Sequence, residues 1–246
     1  MRKGIAMHRI LATAGLAAGL AMSAEASVFS ITIDGSDAIF LAGRTDITIP
    51  PASQMWGTGT SGVYDGMLRH GSPTPEEILE TLPPIIPVAP GDVVRVLDPA
   101  VGGISFFNGF IADGAPVFGP QGSGLPGSSE LTPFAGISGY IGTQGALTGV
   151  FLGPDIPNMG PPPATLDFRT SAIGVDFTSL SPGIGQVFFI GDGQTSGGVF
   201  QEFVAPAGAS RVAFGVPDGF GFGGVPGAYD DNDGAYRIRV GVNSIP

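Results

Sequence analysis

The sequence predicts an all-β protein, a single antiparallel β-sandwich of jelly-roll type that follows a cleaved signal peptide. Three observations predict it. Short runs of apolar residues recur with a period of two, the pattern of strands with one face buried. Glycine and proline are abundant, 42 and 23 of 246 residues, while 43% of the chain is hydrophobic; many short strands joined by turns have this composition. Strand patterns do not alternate with helical ones, so nothing points to a parallel sheet covered by helices.

Residues 1–26 are set apart from the fold. Arg2, Lys3 and Arg9 form a basic start, Ile10–Ala21 is apolar, and Ala24-Glu25-Ala26 is an A-x-A cleavage site. That is the order of a secretory signal, and the mature chain is expected to begin at Ser27. The apolar run is too short to span a bilayer, and no later run approaches that length without charge or proline. Residues 27–246 are expected to form one β domain. Residues 27–84 would give its N-terminal strands and a short helix, and residues 85–246 its core.

VFSITIDG (28–35) alternates and reads as the first strand, followed by DAIFLAGR and TDITIPP as two more. Met55–Gly71 is glycine-rich and holds Trp56. Its Gly57-Thr58-Gly59-Thr60-Ser61-Gly62 matches a dinucleotide fingerprint, but no helical period follows and no βαβ unit surrounds it. Thr74-Pro75-Glu76-Glu77 has the threonine cap, first-turn proline and glutamate of a helix start, and Pro83-Pro84 stops that helix. Strands are then expected at Asp92–Leu97, Gly103–Phe107, Ile137–Ile141, Gly149–Leu152, Gln186–Ile190, Phe200–Val204, Arg211–Val216 and Tyr236–Val242. The longest loop is the proline-rich Gly153–Ala164.

Composition excludes several chemistries. The chain has no cysteine, so disulfides, thiol catalysis and cysteine-bound zinc are absent. Its only lysine is Lys3, and the expected mature chain keeps one histidine, His70. The formal charge is −11, and loss of residues 1–26 makes it more negative still. Such a surface argues against nucleic acid and against anionic lipid as partners. No nucleophile elbow occurs, and Glu76, Glu77 and Glu80 fall together on the expected helix, where a solvated face accounts for them. An enzyme is therefore not expected, although paired carboxylates of a glycosidase would not be visible in sequence.

The richest stretch is Val216–Val240, VPDGFGFGGVPGAYDDNDGAYRIRV. Tyr236, Ile238, Val240 and Val242 share one strand face, with Arg237 and Arg239 on the other. In the preceding run Val212, Phe214 and Val216 face one way, and Arg211, Ala213 and Gly215 the other. Between the two runs lies Asp230-Asp231-Asn232-Asp233-Gly234. Neighbouring carboxylates repel by about 1 kcal/mol per close pair even in water, and a hard, oxygen-loving cation such as calcium would turn repulsion into binding. The run is not an EF-hand. With Gly234 at the sixth position, Tyr229 and Val240 would fall at the first and twelfth, and neither is a ligand there. A solvated turn of Asp, Asn and Gly is the alternative.

VPGAYDDNDGAYRIRV resembles the C-terminal calcium loop of PA-I-type galactose-binding bacterial lectins, which have a galactose-binding-domain-like sandwich. VAPGDVVRVL, FGPQGSG, PFAGISGYIG and FVAPAGASRVAFGV follow in the same order as in that family. VGVFLGPDIP, PPPATLDF, DFTSLSP and FFIGDGQTSGG are similar to secreted proteins with PEP-CTERM sorting tails, and Val242–Pro246 falls where those tails begin. The resemblance implies that Asp231 and Asn232 give side-chain oxygens to Ca2+ and Ala228 its carbonyl. The family's aspartate before Val-Pro-Gly falls on Gly224, so Asp218 or Asp230 would replace it. Asp113, just before FGPQG, is a further candidate ligand. Gln121 and Ser123 would hydrogen-bond sugar hydroxyls, and Phe222, with Phe220, would offer an apolar platform. The family's sugar-contacting histidine has no counterpart in Gly124–Glu130. The implied function is calcium-dependent carbohydrate binding outside the cell or at its surface, with extracellular polysaccharide as the partner. The alternative is a structural matrix protein in which calcium only holds the fold together.

Overall fold

The computed structural model describes residues 26–46, 80–106, 111, 114–157, 160–229 and 232–246. Its strands are β1 (Ser27–Asp34), β2 (Ile85–Pro87), β3 (Val93–Val96), β4 (Val101–Ser105), β5 (Ser129–Leu131), β6 (Tyr140–Gly142), β7 (Thr148–Leu152), β8 (Ser179–Leu180), β9 (Val187–Phe189), β10 (Glu202–Val204), β11 (Arg211–Gly215), β12 (Gly223–Gly224) and β13 (Asp233–Val242). Helix is confined, among the described residues, to short turns such as Ile39–Leu41 and Phe220–Phe222. The protein is therefore all-β.

β13 organises the largest sheet, in the order β1-β13-β3-β10-β8, with β4 also on β13. It reads as the period-two pattern predicts. Tyr236, Ile238 and Val240 are buried while Arg237 and Arg239 are exposed, and β1 pairs antiparallel with it, Ile31 opposite Ile238 and Ile33 opposite Tyr236. A one-residue slip would drive both arginines into the core, so burial pins this register. A second sheet runs β2-β11-β7-β9 and a third β12-β5-β6. Most pairs are antiparallel, but β10–β8 and β12–β5 are parallel, a departure from the wholly antiparallel expectation. The two larger sheets meet through aromatic packing. Phe203 of β10 stacks on Phe188 of β9 at 4.9 Å and 28°, and Phe188 stacks in turn on Phe151 of β7 at 5.2 Å.

Several expectations need correction. DAIFLAGR is not a strand. Val216 N–H donates to Asp37 O and Ile39 N–H to Val216 O, after which the chain turns through Ile39–Leu41. This segment lies directly over β11, where a Cβ on Gly215 would come within 2.6 Å of Asp37 O. Ala213, expected on an outer face, is consequently buried. Glu80 is 3% exposed and does not sit on a solvated face. The expected strand Ile137–Ile141 shortens to β6, while β2, β5, β8 and β12 are additional. Residues 1–25, most of TDITIPP, Trp56, His70 and the expected helix before Glu80 lie outside the described residues, and residues 80–82 are not helical. β1 begins at Ser27, where the mature chain is expected to start. Among the described residues no helix is long and apolar enough to cross a membrane.

Candidate metal centre

The loop between β11 and β13 is closed from inside by Tyr229, which is fully buried. Its hydroxyl donates to Val216 O at 2.7 Å and accepts Asp218 N–H at 3.1 Å. Gly227 N–H donates to Asp218 O, and Asn232 N–H to Tyr229 O. Asp218 is thereby fixed under the loop at 2% exposure.

Asp218 and Asn232, expected as candidate ligands, are brought together. Oδ1 of Asp218 accepts Gly219 N–H at 2.7 Å, and Oδ2 accepts Nδ2 of Asn232 at 2.8 Å. The second amide hydrogen of Asn232 goes to Gly35 O, also at 2.8 Å. Both partners of Nδ2 are acceptors, so the carboxamide cannot be turned round without losing two bonds. Its other end is left over: among the described residues, Oδ1 of Asn232 is buried with no donor. A buried oxygen without a donor costs about 1–3 kcal/mol, and a cation is one way to satisfy it. The field of this centre reaches the core. Burial raises the hydroxyl pKa of Tyr236, and the charge of Asp218 raises it further.

Gly35 is the non-local contribution to the site. A Cβ there would lie 3.0 Å from both Asn232 Cβ and Ile104 Cγ2, so only glycine lets the Asn232 amide reach the Gly35 carbonyl undisturbed. Above it a cleft of about 300 Å³ is lined by Asp34, Gly35, Ser36, Asn232, Asp233 and Gly234, among others. Ile111 N–H donates to Oδ2 of Asp233 at 2.7 Å, which draws the turn preceding FGPQG onto this loop.

The other expected residues fall as follows. Ala228 is half-buried with φ +63°, the left-handed region that is uncommon outside glycine. Asp113, Asp230 and Asp231 lie outside the described residues. No group of three His, Cys, Asp or Glu side chains suited to a metal occurs among the described residues. Gly224, which stands where the resemblance calls for aspartate, has φ +77° and is the residue the backbone favours there.

The expected sugar residues do not form one surface. Phe222 is 5% exposed and meets Phe106 edge-on at 5.8 Å, so its ring is core and not a platform; the three-residue turn that buries it leaves Phe220 exposed. Gln121 is exposed, and its Nε2 donates to Asp192 at 2.6 Å. Ser123 is half-buried, and its N–H donates to Gln144 O. Among the described residues, this segment is linked to β13 through the core. The Gly145 carbonyl accepts the Tyr236 hydroxyl, and a Cβ on Gly145 would strike the Phe106 ring. The roles of Tyr229 and Gly35 in this centre are not visible in the sequence pattern. The one signal for Tyr229 was a lone aromatic beside an acidic run, and Gly35 gave none. No family model, curated protein or solved structure matches the chain.

Proposed function

We propose that this chain is an exported, calcium-binding β-sandwich protein whose calcium loop serves carbohydrate recognition outside the cell, with extracellular polysaccharide as the partner class. The observation that carries the calcium part is the Asn232 carboxamide, held at one end by Asp218 and Gly35 and left, among the described residues, with a buried oxygen lacking a donor at the other. Calcium takes six to eight oxygens, mixing carboxylate, amide and carbonyl ligands. Asn232 Oδ1, the Asp218 carboxylate and the Ala228 carbonyl are of the right kind, and Asp230, Asp231 and Asp113 would supply the rest. A cation here would also lower the cost of holding the Asp218 charge inside the fold. The two larger sheets, packed through Phe188 and Phe203, support the sandwich.

A second reading has an observation of its own. Burial takes the Phe222 ring away from any bound sugar, and the Gln121 amide nitrogen is already engaged by Asp192. This favours calcium as a fold staple in a matrix or surface protein. A glycan array probed with calcium and again with chelator separates the two. Glycan binding that chelator abolishes is the expected result. A calcium-binding protein that retains no glycan leaves the staple reading, and turnover of a glycan would make the protein a hydrolase.

A further inference from the structure

Among the described residues, β1 leaves a longer free edge than any other outermost strand of the three sheets. Edge strands present unpaired N–H and C=O groups, and proteins usually blunt them by shortness, proline, lysine or a bulge. Here β8 and β12 have two residues each, β9 has three, and β2 has three including Pro87. β1 runs eight residues, Ser27–Asp34, pairs in unbroken register with β13 and, among the described residues, with no other strand, and carries no lysine and no proline.

The ladder shows which groups are free. Gly35 N–H donates to Gly234 O, so the hydrogen-bonded pairs with β13 fall on odd-numbered residues of β1. The even-numbered residues then direct their backbone groups outward. Asp34 verifies the parity: its N–H goes to Oδ2 of Asp37 at 2.8 Å, and its C=O accepts Asp37 N–H at 2.9 Å. That turn seals one end of the edge. Val28, Ser30 and Thr32 remain, with no partner for their outward N–H and C=O groups among the described residues.

We propose that this edge is a homotypic pairing site, at which two copies of the chain join β1 to β1, antiparallel, about a two-fold axis through Ser30. In that register Ser30 opposes Ser30 of the second copy, and Val28 opposes Thr32, so every free backbone group finds a partner. Moving the axis to Ile31 would place Val28 against Asp34, whose groups are already bonded to Asp37, and would waste the match. The side chains agree. Phe29 would oppose Ile31 on the inner face, where both are only half-buried in the single chain, and aromatic–β-branched cross-strand pairs are favourable. Charge also favours a second copy at this edge. The chain is strongly acidic overall, yet Ser27–Ile33 carries no charge, and Asp34 falls beyond the paired window.

The test uses the purified chain at moderate salt, where self-repulsion is screened. Sedimentation should show the mass rising with concentration toward that of a dimer and stopping there. Ser30→Lys, which sets two ammonium groups face to face, should hold the protein monomeric with its melting temperature unchanged. The chain has no cysteine, so Ser30→Cys reports the register directly. Hydrogen-bonded antiparallel partners lie about 5.5 Å apart at Cα, within disulfide range. Oxidation should give a covalent dimer with Ser30→Cys and several-fold less with Thr32→Cys. A folded chain that stays monomeric, equal cross-linking by the two cysteine variants, open-ended oligomers, or capture of a foreign extended peptide in place of a second copy would each overturn the proposal.

Discussion

At the residue scale, Asp37 makes stability depend on pH. Burial pushes its carboxyl up to about 6, against the hydrogen bonds from the Thr81 hydroxyl and Asp34 N–H that favour the ionised form; the Asp34 charge adds to the rise. The folded state therefore holds this proton more tightly than the unfolded chain does. The resulting stability is fully present below the unfolded value near 3.8 and is lost as pH rises through about 6. Asp37→Asn keeps the shape and removes the titration. The melting temperature of the wild type should fall across that window relative to Asp37→Asn, by an amount corresponding to about 3 kcal/mol. Parallel pH profiles for the two proteins would show that Asp37 is not the titrating group. Its position was not legible in sequence. DAIFLAGR is a short apolar run that reads as a strand, but β11 lies beneath it and Thr81 beside it, and neither neighbour is near in the chain.

At the scale of elements, the strands most easily read were those with one wet face. β13 declares itself because Arg237 and Arg239 alternate with Tyr236, Ile238 and Val240. β9, with Val187, Phe188 and Phe189 all buried, shows no alternation. β2 was hidden among prolines, and β5 has only three residues with one exposed glutamate. In the candidate centre, Asn232 was visible because polar residues cluster there. Phe222 was misread because a three-residue turn, and not a strand, decides which of Phe220 and Phe222 is covered. The Phe188–Phe203 stack is one of the contacts that join the two larger sheets. Phe203→Ala removes one ring from a site 1% exposed and should cost about 3–5 kcal/mol in denaturant unfolding. A loss below about 1 kcal/mol would mean that the sheets are held together elsewhere.

For the whole molecule, the absence of cysteine rules out disulfides and leaves burial, with the ion of the proposed reading, as the sources of stability. The loop between β11 and β13 is where an ion would act, since it ties the end of β1 through Gly35, the end of β11 through Val216 and the start of β13 through Asn232. A cation bound only by the folded state at a hundredfold its dissociation constant adds about 2.7 kcal/mol. The most direct test is a calcium titration of the chelator-stripped chain by calorimetry, followed by melting with and without the ion. The account predicts one calcium per chain and a melting temperature raised by roughly 5–10 °C. Asp231→Asn should abolish most of that gain. Asp176→Asn should keep it, because the Asp176 carboxylate is engaged by Ser196 and takes no part in the loop. No heat of binding and an unmoved melting curve would contradict the account and leave the loop a solvated turn.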